Sequence, residues 1–281
     1  MLGPDGWLLG RTRERVIHLT IVATIAMSVF ALAALHPSSA HASECANSWT
    51  NAAGGSWFTA GNWSKGTVPT SEEDVCINTE GTYTVTMTQT NLTGAVSVHS
   101  LTIGASSGTQ TLAVGSSCSL NAIFTTIGGI ANNAHGAITL TNGEGCGTGV
   151  TLVGPVSNAG SLTSEPANGG GRTIQGSLTN TGTLAINTNT AYNGASAQLT
   201  NQGAVDIAEA KALTVSNSGT VANEAGGSIV GTGSGNLSLG TGTSFTEGAG
   251  TTSGTKPVIV DDGSLNYTGS GASTIALRGS S

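Results

Sequence analysis

The sequence predicts an all-β chain: a parallel β-helix, or β-solenoid, closed at its N-terminal end by an aromatic cap and preceded by a signal-peptide helix. Three observations carry this expectation. A seven-residue pattern, [VL]-[ST]-N-x-G-[STA]-[LV], occurs four times without gaps. No stretch beyond residue 43 sustains apolar positions at i, i+3, i+4 and i+7, and glycine supplies 43 of 281 residues, so helix is not the main element. Trp49, Trp57 and Trp63 gather at one end of a chain that is otherwise poor in aromatics.

Residues 1–42 read as a signal peptide. Arg11, Arg13 and Arg15 precede an apolar run from Val16 to Leu35, Pro37 interrupts it, and Ala40-His41-Ala42 fits a small-residue cleavage site. That run is long enough to span a bilayer, so an uncleaved anchor is the competing reading, although His18, Thr20, Thr24 and Ser28 dilute it. The arginines are separated by other residues, which does not match a twin-arginine signal. Cleavage before Ser43 leaves 239 residues, with Lys65, Arg172, Lys211, Lys256 and Arg278 against 13 carboxylates, a formal net charge of −8. A chain so acidic is not expected to bind nucleic acid or anionic lipid. Its Val, Ile, Leu and Thr recur at short spacing, unlike the apolar-poor composition of a disordered segment.

Residues 43–82 form the expected Trp-rich cap. The end coil of a solenoid has no neighbour beneath it and exposes an apolar cross-section and unpaired backbone groups. Trp49, Trp57, Phe58 and Trp63 supply large apolar area to cover it. Exposed tryptophans also stack on sugars, so a carbohydrate platform is the alternative. Cys45, Cys76, Cys118 and Cys146 form an even set in an exported chain, which suggests disulfides. Pairing of neighbours, Cys45 with Cys76 and Cys118 with Cys146, suits a fold that builds up along the chain. A zinc site lacks any Cys-x-x-Cys pair, and only His99 and His135 remain in the mature chain.

Residues 83–281 are the expected solenoid, continuing in a longer protein or shortened from one. The four motif copies begin at Val156, Leu178, Leu199 and Val215, and their asparagines, Asn158, Asn180, Asn201 and Asn217, step by 22, 21 and 16. A longer variant runs from Ile130 to Ile138 and again from Val221 to Ile229. Self-similarity near 20 residues marks a solenoid. Alternation puts the branched aliphatics and Asn on one face of a strand, Gly permits the positive φ of a bend, and the asparagines are expected to stack in a hydrogen-bonded ladder. About nine coils at ~4.8 Å each would make a rod about 45 Å long. A pair of antiparallel sandwiches is the alternative all-β reading.

The run Trp57, Asn62-Trp63-Ser64, Gly66, Val68-Pro69, Asp74-Val75-Cys76-Ile77 and Thr82 to Thr86 resembles the leading segment of bacterial secreted β-solenoid proteins. The Asn-x-Gly repeats resemble those of filamentous-haemagglutinin-like adhesins and autotransporter passenger domains. The resemblance covers residues 49 to 230 and implies a right-handed parallel β-helix on or outside the cell, often an adhesin or structural surface protein. No C-terminal membrane barrel follows, which departs from the autotransporter pattern.

Catalytic and ligand-binding patterns are weak. Asp206, Glu209 and Lys211 form the best local acid and base cluster, of the kind a polysaccharide-cleaving β-helix needs, but they read as a solvated turn. Asp261-Asp262-Gly263 with Glu247 might suggest calcium chemistry in composition, yet reads as an ordinary turn. Residues 71–74 read as an acidic turn. A Ser nucleophile would need His99 or His135, and the G-x-S-x-G match at Gly104 to Gly108 lacks a following helix. Thr82, Thr84, Thr86, Thr88 and Thr90 make one strand face, an array that an ice binder would repeat at every coil. The expectation is a non-catalytic structural or adhesive module of a secreted or cell-surface protein, with polysaccharide binding or cleavage as the alternative. No cofactor or metal is expected. Partners would be cell-surface glycans or proteins, with end-to-end self-association because the C-terminal end carries no aromatic cluster.

Overall fold

The structure, a computed structural model, describes residues 45–89, 95–116, 121–142, 148–166, 170–269 and 273–278. The expected signal peptide, Cys118, Cys146 and Thr90 lie outside the described residues. Short strands wind around one axis as a right-handed parallel β-solenoid of about eight turns, where the sequence arithmetic gave about nine. One coil illustrates the plan. Val150–Val153 forms a first face, Val156–Asn158 a second and Ser161–Ser164 a third. The next coil repeats it with Arg172–Gln175, Leu178–Asn180 and Thr183–Ile186, each paired parallel with its counterpart below. The third face is a 9-stranded sheet. The first two merge into a 17-stranded sheet, because Val96–Ile103 and Ala122–Asn132 run unbroken across the corner between them. Every strand ladder is parallel, which excludes the antiparallel sandwiches; a single antiparallel bridge joins Trp49 to Trp63.

Alternation drives the packing. Val156, Leu178, Leu199, Val221 and Phe245 stack in register on the second face, and Leu162, Leu184, Val205 and Ile229 on the third. All are buried, and each such side chain contributes roughly 1.5–3 kcal/mol when removed from water. The intervening residues face outward and are mostly Thr, Ser and Ala, whose branched or small side chains suit a pleated surface.

The motif glycines have a different reason from the one expected. Gly160, Gly182 and Gly203 follow the second face, and none of them has positive φ. A Cβ at Gly182 would lie 2.1 Å from the Gly160 carbonyl oxygen, and one at Gly203 would lie 2.2 Å from that of Gly182. The coils approach too closely at this corner for any side chain. Contact between coils, and not bend geometry, selects glycine here.

The tryptophans close the lower end. Trp49 and Trp57 are fully buried and Trp63 nearly so, with Phe58 packed against them. Trp63 makes edge contacts with both other indoles at centroid distances of 5.0 and 4.7 Å, and Trp57 reaches up to Phe124 at 5.6 Å. Trp63 Nε1 donates to the Trp57 carbonyl at 2.7 Å, and Trp49 Nε1 to that of Asn51 at 2.7 Å. Cys45 and Cys76 are joined by a disulfide. The cap is woven into the solenoid, since Asn47–Ser48 and Gly55–Ser56 are the lowest rungs of the second and third faces. The compact unit starts at Glu44, and the expected boundary at residues 82 and 83 falls inside the strand Gly81–Gln89.

Candidate functional site

The most organised polar feature lies inside the rod. Asn132, Asn158, Asn180, Asn201 and Asn223 occupy one inward column at the end of the second face, all essentially inaccessible to water. Each donates from Nδ2 to Oδ1 of the asparagine above, at 2.6, 2.7, 2.8 and 2.9 Å in ascending order. The second N–H of each amide is used as well, donating to a backbone carbonyl of the following coil: Ser161, Thr183, Ala204, Ser228 and Thr251, at 2.9 to 3.1 Å. The column ends on Glu247, whose buried carboxylate accepts from Asn223 Nδ2 at 3.0 and 3.3 Å. Paired in this way, amides pass into an apolar interior without the cost of a lost hydrogen bond.

Three of the four expected ladder residues, Asn158, Asn180 and Asn201, stand in this column. Asn217 does not. It lies exposed in the turn between the first and second faces, at φ 55°, where its Nδ2 donates to the Asn193 carbonyl at 2.7 Å. The segment Val215 to Val221 mimics the motif at a different corner, and asparagine there serves its tolerance of left-handed backbone. The step of 16 residues was the warning, since the true partner, Asn223, lies 22 residues after Asn201. Asn132 and Asn223 were visible as the asparagines of the longer variant. Glu247 was missed because it replaces the motif's amide.

A second inward polar group was also missed. Arg172 is buried on the first face, directly above Val150. Its Nε donates to the Leu140 carbonyl at 3.1 Å, Nη1 to Gly170 at 3.1 Å and Nη2 to Glu165 at 3.0 Å. Burial pushes its pKa down from the usual value. The alternation of Arg172 and Ile174, in phase with Val150 and Leu152, was the available signal.

The residues singled out for catalysis do not converge. Asp206 lies on an outward strand position of Ala204–Ile207, not in a turn, flanked in register by Ala185 and Val230. Glu209 and Lys211 follow in the turn. Asp261 and Asp262 are exposed beyond the first face, whereas Glu247 is interior, so they do not share a site. His99 is exposed at a bulge, its Nδ1 2.7 Å from Asp74 Oδ1, and the neighbouring Ser100 hydroxyl donates to the same oxygen. Serine and histidine thus compete for one carboxylate and do not form a relay. In the acidic turn, burial raises the Glu73 pKa, but Lys65 Nζ at 2.6 Å and the Thr70 N–H at 2.8 Å outweigh it and hold the carboxyl below its usual value. Among the described residues, no group of three His, Cys, Asp or Glu side chains is arranged to hold a metal ion.

The outer surface is periodic. Thr84, Thr111, Ala137, Ser161, Thr183, Ala204, Ser228 and Thr251 form one column of the third face, and Thr86, Ala113, Thr139, Thr163, Ala185, Asp206, Val230 and Ser253 the next. The threonine face of Gly81–Gln89 therefore does continue upward, in small residues instead of threonine alone. A shallow groove of about 390 Å³ follows the tight corner beside it, with Gly136, Gly160 and Gly182 as floor and Thr109, His135, Ser161 and Thr183 along its sides. His135 Nδ1 lies 2.9 Å from the Gly108 carbonyl, which fixes Nδ1 as the donor and leaves Nε2 as an acceptor. Among the described residues, no helix is long and apolar enough to cross a membrane.

Comparison with protein-family models, curated proteins and solved structures finds no match in any of the three.

Proposed function

We propose that the chain is a non-catalytic structural or adhesive module of a secreted or cell-surface bacterial protein. What supports this is how the polar chemistry is distributed. The buried amides are consumed by one another, the buried guanidinium by backbone carbonyls, and the outward faces carry Thr, Ser and Ala in register. Such a surface offers repeated shallow contacts along a rigid rod and no convergent acid and base pair. Export rests on the signal-like first 42 residues. The test is to display the mature chain on beads and measure adhesion to cells and to immobilised glycans. Retention on at least one of these surfaces is expected, and failure on all of them removes the adhesive role.

The groove beside His135 favours polysaccharide binding as a second reading, because hydroxyls and one imidazole acceptor line a floor without side chains. Glycan-array binding that disappears in His135→Ala, with an unchanged melting temperature, would assign the contact to this groove. Release of reducing or unsaturated ends from a polysaccharide panel would replace the non-catalytic reading.

A further inference from the structure

The asparagine column has a direction. Every amide presents its carbonyl downward and its N–H groups upward, so the side-chain dipoles add along the rod instead of cancelling. At the lower end, Asn132 Oδ1 is buried without a hydrogen-bond partner. At the upper end, the N–H groups of Asn223 meet a carboxylate. This is the arrangement of a helix N-terminus facing an anion, reproduced with side chains. A further asparagine at the Glu247 position would present N–H groups that need an acceptor above. A carboxylate ends the series because, ionised, it only accepts.

The carboxylate is nevertheless fully enclosed. Among the described residues, no lysine, arginine or histidine lies within ion-pair distance of it. Asn223 faces it from below, and Tyr267 stands in register above. The other charged groups nearby, Glu224, Asp261, Asp262 and Arg278, belong to turns or outward positions. Its cover is thin. The coil above is the last described, and its inward-register residues Tyr267 and Leu277 are 49% and 66% exposed, against 0% for Glu247 and 2% for Val260 directly beneath them.

We propose that Glu247 acts as a proton-operated clasp: the strands from Thr251 to Arg278 close firmly over the neutral carboxyl and loosen when it ionises. Burial raises the Glu247 pKa, and the Asn223 amide only partly offsets this. A carboxyl with a raised folded-state pKa contributes stability that is fully present below its unfolded value and is lost as pH rises through the folded value. The upper end of the rod is therefore tightest in mildly acidic solution. Neutral solution frays it, while the lower coils, held by the Trp cap and the Cys45–Cys76 bridge, stay closed.

Hydrogen exchange of the mature chain, corrected for intrinsic rates at pH 4.5 and 7.5, tests this. Peptides from 251–278 should be at least tenfold better protected at the lower pH, with peptides from 178–201 unchanged. Glu247→Gln keeps the acceptor for Asn223 but cannot ionise, so the pH difference should vanish and protection at pH 7.5 should rise. A double Asp261→Asn, Asp262→Asn variant should retain the full pH response. Equal protection of the wild-type upper end at both pH values overturns the clasp, as does a pH response that survives in Glu247→Gln. If Glu247→Gln does not fold, carboxyl carbon NMR of the wild-type chain decides. A Glu247 titration midpoint at or below that of an exposed glutamate overturns the proposal, and one clearly above it upholds it.

Discussion

At the scale of single residues, the fold is specified by positions where one atom more would not fit. Gly182 is the clearest, since a Cβ would meet the Gly160 carbonyl oxygen. Gly182→Ala should cost about 1–3 kcal/mol, read as a lowered melting temperature, whereas Gly240→Ala, with open space around it, should cost almost nothing. The two kinds of asparagine separate in the same way. Asn217→Gly should change stability by about 1 kcal/mol or less, because glycine accepts its backbone conformation. Asn223→Ala should cost about 3 kcal/mol or more, because it strands the Asn201 amide and the Glu247 carboxylate together. Equal effects in chemical denaturation would undo the assignment of Asn223 to the column. The motif alone did not distinguish these two residues, because Val215 to Val221 carries the same letters at another corner. Local sequence encodes alternation and bends, but which corner a bend occupies depends on the coil beneath it.

At the scale of elements, the cap and the strands obey different rules. The strands are legible one at a time, since inward and outward residues alternate and recur with the coil. The cap was legible only as a concentration of aromatic residues. Its weaving into the lowest rungs depends on contacts such as Trp57 with Phe124, 67 positions apart, which no local pattern reports. Trp57→Ala should cost about 3–5 kcal/mol in thermal or denaturant unfolding. Trp57→Phe should cost much less, because the indole N–H is buried without an acceptor and its removal relieves that deficit. An unchanged melting temperature in Trp57→Ala would return the ring to the surface and to sugar stacking.

At the scale of the molecule, the two ends differ. The lower is sealed by indoles and a disulfide, while the upper presents the edge strands Ser264–Tyr267 and Ile275–Arg278 with Tyr267 and Leu277 exposed. Edges of this kind template further pairing. Light scattering coupled to size exclusion should therefore detect concentration-dependent association of the mature chain, and a monomer at every concentration would contradict it. The periodic interior was legible from the sequence as a whole, because the copies at Val156, Leu178 and Leu199 keep a constant step. The buried charges of Arg172 and Glu247 were not, because each occurs once and the pattern treats it as noise.

The equivalence of successive rungs makes the rod a ruler that can be recut. Leu178 and Leu199 hold the same register, so deleting residues 178–198 would set Leu199 on Val156 and bring Asn201 to Asn158 in place of Asn180. Stability in such arrays is a sum over neighbours, and every remaining neighbour would find a matching one. The shortened chain should fold with its circular dichroism spectrum preserved and its long axis reduced by about 4.8 Å in solution scattering. Length, in a molecule of this kind, is a heritable quantity that changes by whole steps.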